Sequence, residues 1–170
     1  MGSHASSRRA KRDDSAAVMT ALRRIVRRLR LADRQAETLH GLSAAQLFVL
    51  HSLAAAPVRS LADLAQRTLT DQSSVSTVVT RLVERGLVAR TPAAADRRRA
   101  ELALTAAGAR VVQGSSHLPQ PRIIEAVRGM PASRRREVVR ALEALSTAIG
   151  ADLIAPRMLF EDEHTRRRER

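Results

Sequence analysis

The sequence predicts a mainly α-helical protein that carries one small β-hairpin. Apolar residues recur at helical spacing along most of the 170 residues, whereas residues 87–91 and 101–104 have the composition and alternation of strands. The chain contains 30 basic and 17 acidic residues, and its formal net charge of +13 favours a polyanionic partner. Together these observations indicate a helical domain that binds nucleic acid.

The composition also excludes several classes of protein. The absence of cysteine excludes a disulfide framework, a thiolate zinc site and a thiol redox switch. Two phenylalanines, with no tyrosine or tryptophan, leave no stacking platform for single-stranded nucleic acid. The chain has no signal peptide and no apolar run of about 18 residues, so we expect a soluble, cytoplasmic protein with no membrane partner. It has no glycine-rich phosphate loop and no catalytic arrangement, so we predict neither an enzyme nor a cofactor.

The N-terminal part predicts a basic arm followed by two helices. Residues 1–14 combine what resembles an expression-tag remnant with a polar, basic arm that we expect to be mobile. Residues 15–39 repeat apolar side chains at helical spacing, and this predicts an amphipathic helix. Ser43 is placed to cap the next helix, which runs towards Pro57.

The centre of the chain predicts two helices joined by a tight turn. Ser60 can cap the first of them, residues 60–67, and the second begins near residue 70 and ends at Gly86. The apolar stripe of the second helix is formed by Val75, Val78, Val79 and Leu82. Its opposite face carries short polar side chains and one arginine. This pattern is typical of a helix-turn-helix, although ordinary helix pairs in all-α domains share it.

An arginine-rich hairpin is predicted directly after the second of these helices. The two predicted strands are joined by a tip that carries Arg97, Arg98 and Arg99. A narrow minor groove attracts such arginines because it concentrates negative potential. Asp96 can hold Arg98 in a bidentate pair and set its direction. A helix-turn-helix followed by such a hairpin is a winged helix.

The C-terminal part predicts further helices around one interruption. A helix covers residues 106–113, and Pro119 and Pro121 then break the pattern by a kink or a short loop, between which the sequence does not decide. The helical pattern resumes at Ile123 and, after a stop near Gly129, continues in a last long helix.

We therefore predict a single domain over residues 15–160. The winged helix-turn-helix covers residues 42–108. The helices of residues 15–39 and 106–150 have apolar faces that this small head cannot cover, so we predict that they form a dimer interface. Residues 161–170 form a charged tail that we expect to fray.

Four motifs of the central region resemble those of the MarR family of winged helix-turn-helix transcriptional regulators. The motifs are the helix of residues 42–50, the recognition helix of residues 69–88, the Asp-x-Arg wing motif Asp96-Arg97-Arg98, and the Leu-Thr-x-x-Gly motif of residues 104–108. Their order and spacing match the family over residues 42–108, and the flanks match by helix pattern only. The resemblance implies a homodimer whose recognition helices lie about one DNA turn apart on a pseudo-palindromic operator.

The resemblance implies a sequence-specific, DNA-binding transcriptional regulator. We predict a repressor that a small-molecule ligand, such as an anionic aromatic compound, releases from double-stranded DNA. One alternative is an architectural or constitutive DNA-binding dimer without a ligand switch, and a more distant one is an adaptor whose apolar helices bind another protein. The candidate DNA-binding residues are Gln72, Ser73, Ser74, Ser76, Thr77, Thr80, Arg81, Asp96, Arg97, Arg98 and Arg99.

The same resemblance implies a ligand site between the dimer helices and the DNA-binding head. A first-helix arginine could pair with a carboxylate there, and a histidine of the second helix could face the same cleft. The candidates are Arg27, Arg30, Arg34 and His51. Surface arginines and a partly buried histidine explain the same residues. Glu37 and His40 lie about one helical turn apart, but without cysteine or a His-x-x-x-His pair we predict no metal site.

Overall fold

The computed structural model of the chain describes residues 3–56, 58–93, 96–115 and 118–161, with side chains described within 14–91 and 101–161. The order of elements follows the predicted one, with the hairpin inserted between the fourth and fifth helices. The elements are α1 (Ser3–His40), α2 (Ala44–Ala55), α3 (Leu61–Thr68), α4 (Gln72–Glu84), β1 (Val88–Ala93), β2 (Asp96–Leu104), α5 (Ala106–Gly114), α6 (Pro119–Arg128) and α7 (Ala132–Ala148).

Helix α1 begins at Ser3, so the expected mobile arm is helical over the described part of residues 1–14. The reason lies in the composition of residues 5–14, which contain alanine, arginine and lysine but neither proline nor glycine. Those residues have high helix propensity and allow α1 to continue towards the N-terminus without a break. The helix ends at Gly41, which has a positive φ of 61°.

Helix α2 is the centre of the core. Its start is fixed by a capping box, in which the Ser43 hydroxyl accepts from the amide of Gln46 and the Gln46 side chain accepts from the amide of Ser43. The buried carboxylate of Asp33 accepts a further hydrogen bond, of 2.8 Å, from the amide of Ala44. Nine of its twelve residues are buried, and α2 packs against α1, α3, α4, α5 and β2.

Helices α3 and α4 lie within one or two residues of their predicted boundaries, and the predicted cap of α3 is present. The hydroxyl of Ser60 accepts from the amide of Asp63 at the start of α3, and Asp71 is the N-cap of α4. Leu69 lies between the two helices in left-handed conformation, with φ of 54°. The apolar stripe of α4 is fully buried, as expected, and Leu64 of α3 packs into the same cluster. A buried stripe on α4 leaves its opposite face free to meet a partner.

The hairpin is antiparallel, and it is joined to the head by a bridge between Val58 and Leu102. β1 extends to residue 93 and β2 starts at residue 96, so both strands are longer than predicted. The arginine run was expected at the tip, but its backbone belongs to β2. Pro92 pairs with Ala100 and Ala93 with Asp96, so residues 97–99 form an irregularity in the register.

Pro119 and Pro121 begin a helix. After α5 ends at Gly114, a short connection leads to α6, where Pro119 occupies the first turn. Proline is tolerated there because its missing amide would have no partner within the helix. The helical pattern therefore resumes four residues before Ile123, where the sequence predicted its return, and α7 begins after Pro131 as expected.

Helix α7 has no buried residue, whereas the chain that follows it returns to the core. A short 3₁₀ turn at Ala151–Leu153 leads to residues 155–161, which lie against α4. Met158 belongs to the main hydrophobic cluster and is 4% exposed, and Glu161 is 5% exposed. Of the predicted charged tail, residues 161–170, Glu161 alone lies within the described part of the chain.

Candidate nucleic-acid interface

The outward face of α4 is a strip of small polar side chains. Gln72, Ser73, Thr77 and Thr80 are exposed, and Ser76 and Arg81 are partly exposed. From Ser73 to Glu84 this strip forms a shallow depression. The hydroxyl of Thr77 donates to the carbonyl of Ser73 at 3.1 Å, and that of Thr80 donates to Ser76 at 2.9 Å. With their protons used in this way, the two hydroxyl oxygens keep lone pairs that can accept hydrogen bonds from a partner.

The N-terminus of α4 is held by an ionised carboxylate. Asp71 accepts hydrogen bonds from the hydroxyl of Ser73 and from the amide of Ser74, the latter at 2.8 Å. These bonds, that from the Ser73 hydroxyl first, lower the pKa of Asp71 to about 2. The cap is therefore charged at neutral pH, and it fixes the orientation in which the first turn of α4 presents its side chains.

Ser74 does not lie on the outward face, so the structure separates it from the other α4 residues predicted to bind DNA. Ser74 is 2% exposed, and its hydroxyl accepts a 3.4 Å hydrogen bond from the amide of Met158. The physical reason is helical geometry: Ser74 precedes Val78 by four residues and so shares a face with that core side chain. The polar character of the side chain had suggested an outward position.

Arg81 lies at the border between the outward strip and the flank of α4. Its Nη1 atom donates a 2.9 Å hydrogen bond to the backbone carbonyl of Glu161. Arg81 also helps to line the depression of the outward strip, and its guanidinium has further donors beyond the one that binds Glu161. Sequence reasoning found this residue, but it did not anticipate its contact with the C-terminal segment.

The structure describes only the backbone of the wing residues. Asp96, Arg97, Arg98 and Arg99 lie in β2, beside the end of β1. Their side chains lie outside the described residues, so the pairing of Asp96 with Arg98 stays a prediction. The bridge from Val58 to Leu102 attaches this hairpin to the head that carries α4.

A cavity of about 520 Å³ lies on the other side of the head, between α2, α3 and the start of α6. It is lined by Phe48, His51, Ser52, Ala55, Arg67, Ser115, Leu118, Pro121, Arg122 and Glu125. His51, which was predicted to face a cleft between the dimer helices and the head, lines this cavity, and its role in binding a ligand stays a prediction. Arg27, Arg30 and Arg34 are exposed on α1 and do not line it. α1 packs on the core through small side chains such as Ala32 and Ala36, which leaves its arginines on the other faces.

The basic residues of this cavity are Arg67 and Arg122, which sequence reasoning missed. The Nη1 atom of Arg67 donates to the carbonyls of Ser52 and Ala56, at 2.9 and 2.7 Å, and so holds the C-terminal end of α2. Arg122 is exposed beside Pro121. The prolines at the start of α6 place Arg122 near the loop that precedes the helix. The sequence does not show that α2 and α3, which form the rest of the cavity, lie beside it.

His51 forms a polar contact across the cavity wall. Its Nε2 atom lies 2.8 Å from the hydroxyl of Ser115. Desolvation by burial lowers the pKa of His51 below its ordinary value of 6.5, so the neutral imidazole predominates at neutral pH. The cavity thus combines an apolar wall with arginines and one neutral histidine. Over the described residues, no group of three histidine, aspartate or glutamate side chains is placed to hold a metal ion.

Two helices joined by a turn, the second with an outward polar strip and a following antiparallel hairpin, define a winged helix-turn-helix protein. Residues 40–99 match the model of the MarR family. AbsC, a MarR family transcriptional regulator from Streptomyces coelicolor, is 21% identical, with 81% of this chain and 94% of AbsC covered and a TM-score of 0.53. No curated protein matches the sequence.

Two further solved structures are similar. The reduced form of MarR from E. coli is 24% identical, with 76% of this chain and 94% of that chain covered and a TM-score of 0.51. BpsR of Bordetella bronchiseptica is 31% identical, with 76% and 98% covered and a TM-score of 0.49. The chain belongs to the MarR family, whose fold is that of DNA-binding transcriptional regulators and not of enzymes. No described helix is both long enough and apolar enough to cross a membrane.

Proposed function

We propose that the protein is a homodimeric, sequence-specific repressor of transcription that a small-molecule ligand releases from a pseudo-palindromic operator. The observation that carries this proposal is the outward strip of α4, defined as Gln72, Ser73, Ser76, Thr77, Thr80 and Arg81. Small polar side chains let a helix enter the major groove closely, and their hydrogen-bonding groups meet base edges there.

The chemistry of the strip indicates what it reads. Because Thr77 and Thr80 donate their hydroxyl protons to their own helix, their oxygens accept from the amino groups of adenine or cytosine. Their methyl groups can contact the methyl of thymine. Arg98 of the wing is our candidate for the minor groove, and Arg97 or Arg99 for the phosphates. The net charge of +13 supplies the sequence-independent part of the attraction.

The homodimer is supported by apolar faces that the single chain leaves in water. Val18, Ile25 and Leu31 of α1 are 43–50% exposed. Along α7, Val139, Leu142 and Leu145 are 42–54% exposed. A second copy of the chain would cover both helices at once, and two-fold symmetry would place two α4 helices about one DNA turn apart.

The ligand proposal rests on the cavity between α2 and α6. Phe48 and Leu118 provide apolar contact, and Arg67 and Arg122 lie at the same wall. This combination fits a compound with a carboxylate on an apolar body, because a guanidinium binds a carboxylate in planar, bidentate geometry. A ligand that binds better to a conformation with a different spacing of the two heads would release the DNA.

Selection of duplexes from a genomic pool at about 150 mM salt, with non-specific competitor, tests the DNA-binding proposal. We expect recovery of a palindromic motif, whose affinity falls in Thr77→Ala and Arg98→Ala. Thr38→Ala is the matched control for loss of the same hydroxyl bond to the carbonyl four residues earlier, measured once its dimeric state has been verified, because α1 belongs to the proposed dimer interface. The affinity of this control should equal that of the wild type.

The alternative, an architectural or constitutive DNA-binding dimer, gives different results. With such a dimer, the selection would recover no motif, and the affinity for every duplex would fall steeply as the salt concentration rises. For the ligand, thermal melts with benzoate and salicylate as probes should show stabilisation by mass action that is lost in Arg122→Met. If these probes neither stabilise the protein nor release the selected duplex, the carboxylate-ligand proposal fails while the DNA-binding proposal stands.

A further inference from the structure

The C-terminal segment of residues 155–161, which we name the strap, contacts the recognition helix at two points on one flank. Ser74 and Arg81 are seven residues apart, so they lie two helical turns apart along the same side of α4. The strap engages both: the amide of Met158 donates to the hydroxyl of Ser74, and the carbonyl of Glu161 accepts from Arg81. The strap therefore follows this flank over roughly 10 Å.

The strap is held by an apolar anchor and an internal turn. Met158 is buried in the main hydrophobic cluster. The amide of Glu161 donates to the carbonyl of Met158 at 3.1 Å, and the carboxylate of Glu161 accepts from the amide of Met158 at 3.2 Å. Phe160, within this turn, has a φ of 67°, which is unfavourable for a side chain of its kind. The turn is thus kept by its contacts, and loss of the anchor would favour its opening.

The docked strap is incompatible with full entry of α4 into the major groove. An α-helix with its side chains is about 10–12 Å across, and the groove is about 12 Å wide. A second segment along the flank would meet the phosphate backbone that borders the groove. The strap also uses a donor of Arg81 that a phosphate would otherwise accept.

We propose that the strap is an autoinhibitory contact, which holds Arg81 and the flank of α4 in free protein and must leave for tight binding of duplex DNA. The proposal rests on the DNA-binding function proposed above. The apparent affinity for DNA is then the intrinsic affinity reduced by the fraction of molecules whose strap is open. Any partner or condition that removes the strap raises affinity without touching the DNA.

The test compares duplex affinity in full-length variants. Met158→Ser removes the anchor and should tighten binding by about fivefold or more, whereas Met158→Leu keeps the volume and should leave affinity unchanged. The salt slope of Met158→Ser should steepen by about 0.9, the contribution of one added phosphate contact. If Met158→Ser does not fold, Glu161→Ala, which removes one of the two bonds that close the turn, should tighten binding in the same direction but by less.

A double-mutant cycle shows whether the strap inhibits DNA binding or instead positions Arg81 for it. Arg81→Ala should weaken binding more in the Met158→Ser background than in the wild type, since the strap no longer occupies the guanidinium. Wild-type affinity in Met158→Ser and Glu161→Ala would overturn the proposal. Weaker binding in these two variants would overturn it as well and would mean that the strap positions Arg81 for DNA. If neither the wild type nor any strap variant selects a duplex, the proposed function itself fails, and the inference falls with it.

Discussion

Arg85 donates a 2.6 Å hydrogen bond from its Nη1 atom to the backbone carbonyl of Gly41. Arg85 directly follows α4, and Gly41 closes α1 in left-handed conformation before α2 begins. The bond therefore connects the end of the recognition helix to the joint between the long N-terminal helix and the head. It connects the helix of the proposed dimer interface to the helix of the proposed DNA-binding surface.

Removal of this link should loosen the head with a modest loss of stability. We expect Arg85→Ala to lower the free energy of unfolding by about 1 kcal/mol, the usual contribution of one hydrogen bond at a solvent-exposed site. Urea denaturation measures this value. Arg59→Ala is the control, because its exposed side chain makes none of the described hydrogen bonds, and it should leave stability unchanged. Equal losses in the two variants would contradict the role assigned to the bond.

The charged cap of α4 predicts an acid-sensitive contribution to stability. The folded-state pKa of Asp71 is about 2, below its ordinary value of 3.8. The carboxylate therefore stabilises the fold above the ordinary value, and this contribution is lost as the pH falls towards the folded value. Asp71→Asn retains a capping oxygen but does not titrate. Unfolding free energies of the two proteins should converge between about pH 5 and pH 2, and a constant difference over that range would contradict the assignment.

The glycine of the Leu-Thr-x-x-Gly motif is required by a close approach of two segments. A Cβ at Gly108 would lie 2.1 Å from the carbonyl oxygen of Leu87, which is backbone and cannot turn aside. We expect Gly108→Ala to lower the free energy of unfolding by about 3 kcal/mol, as overpacking does in tight cores. Gly129→Ala is the matched control, since Gly129 has helical dihedrals and its added Cβ would meet only ordinary contacts. In thermal or urea unfolding, the free energy of unfolding of Gly129→Ala should be close to that of the wild type.

His51 predicts a second pH dependence, in a range nearer to neutrality. Its pKa is lowered by burial, so the folded state prefers the neutral ring. The contribution of the neutral His51 ring to the free energy of unfolding is therefore complete above the ordinary pKa of 6.5 and is lost as the pH falls below it. His51→Gln stays neutral and can still bond to Ser115. Its free energy of unfolding should decline less than that of the wild type between about pH 7.5 and pH 5.5, and an equal decline would contradict the assignment.

The central head could be predicted from sequence because its signals are local. Ser60 and Asp71 cap helices within their own first turns, and Gly86 has the predicted left-handed conformation. The stripe of α4 follows from the helical period alone. Such features depend on a few neighbouring residues, so α3 and α4 were predicted with boundaries close to those observed, whereas the hairpin was predicted in position but with strands that are too short.

The features that sequence reasoning missed depend on distant contacts. Ser74 looks polar and outward until Met158, 84 residues later, is seen against it. Arg67 and Arg122 belong to different helices, and only the fold brings them to one cavity. The side chain of Arg81 likewise meets Glu161 across 80 residues. No local pattern encodes these pairings, because each depends on how complete helices pack.

The bridge between Val58 and Leu102 has a consequence for the operators that such a head can recognise. With the hairpin bonded to the segment that precedes α3, the distance from α4 to the hairpin is set within one rigid unit. A base read by the helix and a groove contacted by the hairpin must then keep a constant separation within each half-site. If the proposed dimer binds a pseudo-palindromic operator, variation among operators should accumulate in the central spacer between the half-sites, and insertions within a half-site should be excluded.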